Sequence, residues 1–260
     1  MSEFDALLFD VDGTLAETEE VHRQSFNAAF AAAGLDWEWS PKLYRKLLAV
    51  TGGKERIRYY LDSFRTDFPR PDDLQDFIAG LHKAKTDIYT STVAAGEVPL
   101  RPGVRRLLQE ARAAGRRLAI ATTTTPDNVT ALLEHSLDRH APGWFEVIGA
   151  GSVVPSKKPA PDIYEYVLDA LGAAPERCLA FEDTENGVRS ALGAGVPTLV
   201  TVSAYSRGQD FSGATLVLDH LGEPDMPFTV LAGDAHGARY VDVRLLDRLS
   251  LRDEPEAADG

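Results

Sequence analysis

Two aspartates stand at the end of the first apolar segment of the chain, in the run FDALLFDVDGT. Alternate residues of an extended strand share one side, so Asp10 and Asp12 would project together, and Gly13 would let the backbone turn sharply after them. Adjacent carboxylates repel each other unless a cation neutralises them. Because hard divalent ions prefer oxygen ligands, the pair predicts a Mg²⁺ site rather than a solvated turn.

Polar residues also follow later strand-like segments. Thr122–Thr125 could hold an oxyanion with hydroxyl and backbone N–H groups, although a strand end or a helix N-cap would also explain these threonines. Lys158 precedes a Pro-started helix and, taken alone, is typical of a solvated loop. Glu182 and Asp183 form a second acidic pair. Since ligands bind beyond the carboxyl ends of the strands in doubly wound sheets, these groups together indicate a reaction centre at one sheet edge.

Strand-like and helical segments alternate through the second half of the chain. The strand-like runs are Phe4–Asp12, Leu118–Thr122, Glu146–Ala150, Cys178–Glu182 and Thr198–Val202. Helical patterns of about 10–15 residues separate the later runs, which is typical of βαβ units. The sequence therefore predicts an α/β fold with a doubly wound parallel sheet.

Residues 16–98 carry helical patterns alone, and this stretch is far longer than a βα loop of roughly 2–6 residues. We predict that it forms an all-helical cap domain inserted after the first strand, and that residues 1–15 and 99–227 form the core domain. Residues 228–260 are expected to be a partly disordered C-terminal extension, with one amphipathic segment at Val241–Leu249 and a polar tail from Arg252.

The chain carries 27 Lys and Arg residues against 40 Asp and Glu residues, a formal net charge of −13. This acidity argues against nucleic acid or an anionic membrane as a partner. No apolar run approaches the roughly 20 residues of a membrane span, and the N-terminus lacks a basic leader. The single cysteine, Cys178, excludes an intramolecular disulfide and Cys-rich metal sites. We expect a soluble, cytoplasmic protein that is a monomer.

The four polar clusters resemble the four motifs of the haloacid dehalogenase superfamily of phosphohydrolases, over the stretch from about residue 6 to residue 221. These motifs are Asp10-x-Asp12-Gly13-Thr14, Thr122, Lys158-Pro159 and Glu182-Asp183. Segments of the predicted cap, such as Gly52-Gly53-Lys54-Glu55-Arg56, further resemble the CbbY group. That resemblance implies hydrolysis of a pentulose bisphosphate such as xylulose 1,5-bisphosphate, a small-molecule phosphosugar.

The resemblance implies roles for the motif residues. Asp10 would attack phosphorus and form an aspartyl phosphate, and Asp12 would protonate the leaving oxygen and then activate water. Thr122 and Lys158 would hold the oxygens of the transferred group. The Mg²⁺ ligands would be the Asp10 carboxylate, the Asp12 backbone carbonyl and the Asp183 carboxylate, with Glu182 acting as an outer ligand.

Substrate recognition is expected to come from the cap, since the core edge would contact only the transferred phosphate. The segment Arg45–Arg58 is locally basic in an acidic chain, and a second phosphate would suit it. We assign Arg45, Lys46 and Arg58 to a solvated helix face. The predicted substrate contacts are Glu17, His22, Gly53, Lys54, Arg56, Lys85, Thr123 and Asn128.

Other functions on the same fold stay open. Dehalogenases lack the second aspartate, and phosphonate hydrolases tend to replace it, so Asp12 argues against both classes. A β-phosphoglucomutase-like mutase keeps both acids and a similar cap, and product identification would separate it from a phosphatase. A phosphosugar-binding regulator without catalysis is disfavoured by the intact set Asp10, Asp12, Thr122, Lys158 and Asp183.

Overall fold

The computed structural model describes residues 4–95 and 98–250 of the chain. Seven strands form one sheet, ordered β3-β2-β1-β4-β5-β6-β7, which is parallel except for the antiparallel last strand. The strands are β1 (Ala6–Phe9), β2 (Arg117–Ala121), β3 (Val147–Gly149), β4 (Cys178–Glu182), β5 (Thr198–Thr201), β6 (Leu216–Leu218) and β7 (Val230–Gly233). The predicted doubly wound α/β fold is confirmed. The three-residue strand β6 and the four-residue strand β7 were not predicted.

Four helices lie within residues 16–98, where an all-helical cap was expected. They are α1 (Glu19–Ala32), α2 (Pro41–Leu47), α3 (Gly53–Phe64) and α4 (Leu74–Ala94). They enclose their own apolar cluster, in which Phe26, Phe30, Trp37, Trp39 and Tyr44 meet ring to ring. Aromatic side chains bury large areas, so this cluster lets a helical unit of modest size pack independently of the sheet.

Five more helices cover the two faces of the sheet. They are α5 (Val104–Ala113), α6 (Pro126–Leu132), α7 (Asp162–Leu171), α8 (Glu185–Gly193) and α9 (Val243–Ser250). Successive side chains of β1 point to opposite faces: Leu7 and Phe9 pack with α5, α6 and α9, whereas Leu8 packs with α7 and α8. Burial on both faces explains why β1 is a continuous apolar run.

Two chain crossings connect the cap to the core. They lie side by side, because Ala16 pairs with Leu100 in an antiparallel bridge and the Arg101 amide donates to the Leu15 carbonyl at 2.9 Å. The predicted domain boundaries, after residue 15 and after residue 98, stay a prediction.

The segment after residue 227 packs against the core as far as the structure describes it. The strand β7 pairs with β6, and Leu245, Leu246 and Leu249 of α9 join the main apolar cluster. From α5, Arg106 donates to the carbonyls of Gly222 and Val241, each at 2.8 Å. The polar tail expected from Arg252 lies outside the described residues. No helix within the described ranges combines the length and apolar character that a bilayer crossing requires.

Candidate active site

Three acidic side chains converge at the carboxyl ends of the two central strands. Asp10 follows β1, and Glu182 and Asp183 stand at the end of β4, the parallel neighbour in which Phe181 is in register with Phe9. The backbone amide of Asp10 donates to the Phe181 carbonyl at 3.0 Å, which aligns the two strand ends. All three acids are buried, and one carboxylate oxygen of each lies within 4.8 Å of the other two.

Lys158 neutralises part of this charge. Its Nζ donates to Asp10 Oδ1 at 2.8 Å, to Glu182 Oε1 at 2.6 Å and to the Ala121 carbonyl at 2.8 Å. The hydroxyl of Tyr164, on α7, donates to the same Glu182 oxygen at 2.6 Å. Sequence reasoning did not find Tyr164, because its position on α7 is also that of an ordinary packing residue.

The acids hold more negative charge than one ammonium group can offset. Burial raises the pKa of Asp10 to about 7, with contributions from Glu182 and Asp12, even though Lys158 acts in the opposite direction. Burial also raises the pKa of Asp183 well above its ordinary value, together with Asp10 and Glu182, while the Ser203 side chain opposes the rise. A buried carboxylate cluster of this kind favours a further cation.

The donor set fits a divalent metal ion. Glu182 Oε2 is buried and has no hydrogen-bond partner among the described residues, so one carboxylate oxygen is left for an added cation or its water. All the candidate ligands are oxygens, which suits a hard ion. Two glycines make room for these acids, since a Cβ at Gly13, where φ is +81°, would overlap the Asp183 carboxylate and one at Gly187 would overlap Glu182.

Asp12 lies in a different environment from Asp10, although both line the same cavity. The strand ends at Phe9, so the alternation expected from the sequence does not extend to Asp12. Asp12 Oδ1 accepts hydrogen bonds from the Thr18 hydroxyl at 2.6 Å and from His22 Nε2 at 2.8 Å. Burial by itself would raise the pKa of Asp12, but His22 and Thr18 hold it below its ordinary value.

A second lysine extends this contact into the cap. Lys85 Nζ lies 2.5 Å from His22 Nδ1 and stands over the Tyr89 ring, which itself stacks on the imidazole at 4.1 Å. Burial lowers the pKa of Lys85 to about 7. Lys85, His22 and Asp12 therefore form a continuous chain of polar contacts from the cap to the core.

One cavity of about 600 Å³ lies between the core and the cap. We call its two sides the core wall (Asp10, Thr122, Lys158 and Asp183) and the cap wall (Gly53, Lys54, Arg56 and Lys85). Thr123 and Asn128 also line it, and Asn128 Oδ1 is buried without a partner in the described part of the chain. The structure therefore brings nearly all of the predicted site residues to one space.

Arg56, a cation of the cap wall, is linked by hydrogen bonds to two other helices of the cap. Its Nη1 donates to the Tyr44 hydroxyl at 3.0 Å, and that hydroxyl donates to Glu19 Oε2 at 2.8 Å. Its Nε is buried and lacks a hydrogen-bond acceptor among residues 4–95 and 98–250. Gly53, at the first turn of α3, sits against the His82 ring, where a Cβ would come within 2.5 Å. Tyr44 and Glu19 were not among the predicted site residues.

Glu17 is the predicted substrate contact that the structure does not bring into the cavity. Its side chain is exposed and lies in a neighbouring groove, with Oε1 at 3.4 Å from Arg101 Nε. Helix α1 begins two residues later, and Glu19 instead faces the cavity. The direction of the chain between β1 and α1 decides which glutamate points inward, and that direction depends on tertiary packing.

Known proteins share both the sequence and the arrangement. The family model for haloacid dehalogenase-like hydrolases matches residues 4–195. Protein CbbY of Rhodobacter capsulatus is 54% identical over 212 residues, covering 82% of this chain and 91% of the relative. The plasmid-encoded Protein CbbY of Cupriavidus necator is 48% identical over 242 residues, covering 93% of this chain and 94% of the relative.

A solved structure of a CbbY protein is also similar to this chain in three dimensions. A mutant of CbbY from Rhodobacter sphaeroides, crystallised in complex with xylulose-(1,5)bisphosphate, superposes with a TM-score of 0.77 at 47% identity, covering 84% of this chain and 94% of that one. The chain thus belongs to the haloacid dehalogenase-like hydrolases, as a phosphatase of the CbbY type.

Proposed function

We propose that this enzyme hydrolyses a sugar bisphosphate with Mg²⁺, and that the substrate is a pentulose bisphosphate such as xylulose 1,5-bisphosphate. The observation that carries the bisphosphate is the pair of cap-wall cations Lys54 and Arg56, which line the same cavity as the acids of the core wall. A guanidinium held in place by the Tyr44 hydroxyl, together with an exposed ammonium group, suits a second phosphate. The bisphosphate complex of the Rhodobacter sphaeroides relative supports the same class.

In the first step, Asp10 would attack the phosphorus and form an aspartyl phosphate. Bound Mg²⁺, held by Asp10, Asp183 and the Asp12 carbonyl with Glu182 nearby, would offset the repulsion between the carboxylate and the phosphate. Lys158 already contacts Asp10 at 2.8 Å, so its ammonium group is placed to hold an oxygen of the transferred phosphoryl group, and the Thr122 hydroxyl would hold another.

Asp12 would protonate the leaving alkoxide and then take a proton from the water that hydrolyses the aspartyl phosphate. In the structure its carboxylate is hydrogen-bonded to Thr18 and His22. These bonds orient the carboxylate, and the chain of contacts to Lys85 offers a route by which the cap could exchange a proton with it.

The test is a phosphate-release assay over matched sugar mono- and bisphosphates. We expect release with Mg²⁺, loss of release with EDTA, recovery on adding Mg²⁺ again, and a higher kcat/KM for the bisphosphate of each pair. Equal kcat/KM for both members of each pair would overturn the bisphosphate assignment. Isomerised phosphosugar without free phosphate would instead identify a mutase, and binding without turnover would identify a regulator.

The monomeric state and the cytoplasmic location remain predictions from the sequence. Light scattering after gel filtration tests the first, with a mass near 28.3 kDa expected for a monomer. Microscopy of the tagged full chain tests the second.

A further inference from the structure

Arg101 is the first basic residue after the chain returns from the cap, and its guanidinium is buried beneath the active site. The side chain is 6% exposed. Its Nη1 donates to the carbonyls of Gly13 and of Thr201, the latter at 2.8 Å. Its Nη2 donates to the carbonyls of Val202 at 2.8 Å and Asp219 at 2.7 Å. One side chain thus joins the loop after β1 to the ends of β5 and β6.

One of the segments that Arg101 holds is in contact with Asp183, and another ends beside the same cavity. Gly13 packs so closely on the Asp183 carboxylate that it has no room for a side chain. Ser203, directly after Val202, lines the cavity that Asp183 also lines. Arg101 joins these two segments through its hydrogen bonds to the Gly13 and Val202 carbonyls.

The cost of burying this arginine argues that the contacts are specific. Its carboxylate partner is Glu17, at 3.4 Å, and the Glu17 side chain is 44% exposed. A buried charge with a weakly engaged counter-ion is unfavourable unless hydrogen bonds satisfy it. The planar fork of a guanidinium reaches several carbonyls in fixed directions at once, which a lysine cannot do.

We infer that Arg101 is a positioning residue for the metal ligand Asp183, acting through the Gly13 and Val202 backbone. This inference rests on the proposed metal-dependent function. It assigns to Arg101 a role in metal affinity, without contact to the metal or the substrate. Residues that orient metal ligands typically change metal affinity by about 10–100-fold when they are replaced.

The test compares Mn²⁺ binding, followed by the EPR signal of free Mn²⁺, between the wild-type enzyme and Arg101→Lys. We expect the variant to bind Mn²⁺ about tenfold more weakly. In phosphate release, the Mg²⁺ concentration for half-maximal rate should rise by a similar factor, while KM for the sugar phosphate changes little. Arg106→Lys is the matched control, because Arg106 also donates to backbone carbonyls of the core. Arg106 is not among the residues that line the cavity with Asp10 and Asp183. It should leave Mn²⁺ affinity unchanged.

Thr201→Val is measured in parallel, in case Arg101→Lys does not fold. Thr201 Oγ1 accepts from Arg101 Nη1 at 3.1 Å, and valine keeps the shape of the side chain while removing that acceptor. We expect about two- to threefold weaker Mn²⁺ binding. Wild-type Mn²⁺ affinity in Thr201→Val and in any folded Arg101→Lys protein overturns the inference. A wild-type enzyme that binds no Mn²⁺ and releases no phosphate instead overturns the proposed function.

Discussion

The core wall and the cap wall of the cavity differ in how fully their charged groups are partnered. On the core wall, Lys158 has three acceptors within 2.8 Å, and Asp10 is one of them. On the cap wall, Lys85 contacts His22 and Arg56 contacts Tyr44, whereas Lys54 is exposed. The charged groups of the core wall are therefore in mutual contact, whereas the cap wall also has an exposed cation. We expect this difference to separate the proposed reaction from the choice of substrate.

The largest expected effect is on the core wall. Asp10→Asn keeps an oxygen for Lys158 but removes the nucleophile, so we expect phosphate release to fall by at least about 10⁴-fold in kcat. Circular dichroism and the binding of a sugar bisphosphate should remain as in the wild type. Turnover within tenfold of the wild-type rate would contradict the assignment of the nucleophile.

A smaller, substrate-dependent effect is expected on the cap wall. Arg56→Gln removes the charge that would contact the second phosphate, so kcat/KM for a sugar bisphosphate should fall about 100-fold, while that for the matching monophosphate changes by less than about threefold. Arg58→Gln is the control on the same helix, because Arg58 is not among the residues that line the cavity. Equal losses on both substrates would show that Arg56 does not distinguish them.

A still smaller effect, on kcat and on the pH dependence of the rate, is expected where the two walls meet. His22 helps to hold the pKa of Asp12 below its ordinary value, although burial opposes it, so His22→Asn should raise that pKa. Since Asp12 must be ionised to take a proton from water, the acidic limb of the pH–rate profile should move up by about one unit, and kcat should fall about tenfold. The exposed His135→Asn variant should leave the profile in place. A profile that does not move would mean that another group sets this limb.

The smallest effect concerns stability without metal. Because burial raises the pKa of Asp10 from 3.8 to about 7, the folded state binds more protons than the unfolded state between these values. The protonated Asp10 side chain therefore stabilises the folded state fully below about pH 4, and this contribution to the free energy of unfolding is lost as the pH rises through about 7. In EDTA at pH 7, Asp10→Asn should therefore unfold at a midpoint about 3 °C or more above the wild type. Calorimetry at pH 5 and pH 7 checks the slope, and a lower midpoint for the variant would contradict it.

Much of the fold and of the core wall could be predicted from the sequence. Buried parallel strands are continuous apolar runs, and their ends mark the reaction edge, so Asp10 and Asp183 could be placed without coordinates. Lys158 lies in a loop and was placed by its combination with the other motifs and by the family resemblance. The strand β7 was not predicted because it is exposed along its length and so lacks the buried apolar run that marks the other strands. The sequence analysis also missed β6, although this strand is buried.

The cap wall was less predictable for a different reason. Tyr44 occupies a buried position on a short helix, and Glu19 stands next to several other acids, so neither differs in sequence from a packing or surface residue. Their contact with the site arises when Arg56 meets the Tyr44 hydroxyl across the consecutive helices α2 and α3, and when that hydroxyl meets Glu19 of α1. Contacts between helices depend on how the helices pack, so they leave no local spacing that could be recognised in advance.

The linked side chains Glu19, Tyr44 and Arg56 lie on three different helices, α1, α2 and α3. We expect that replacing the arginine alone would not accommodate a shorter or longer sugar, because Tyr44 would lose the hydrogen bond that Arg56 donates to it. Directed evolution toward new substrates should accordingly recover substitutions in groups rather than singly. The strand ends would meanwhile stay constant, so new specificities could arise without inventing new chemistry.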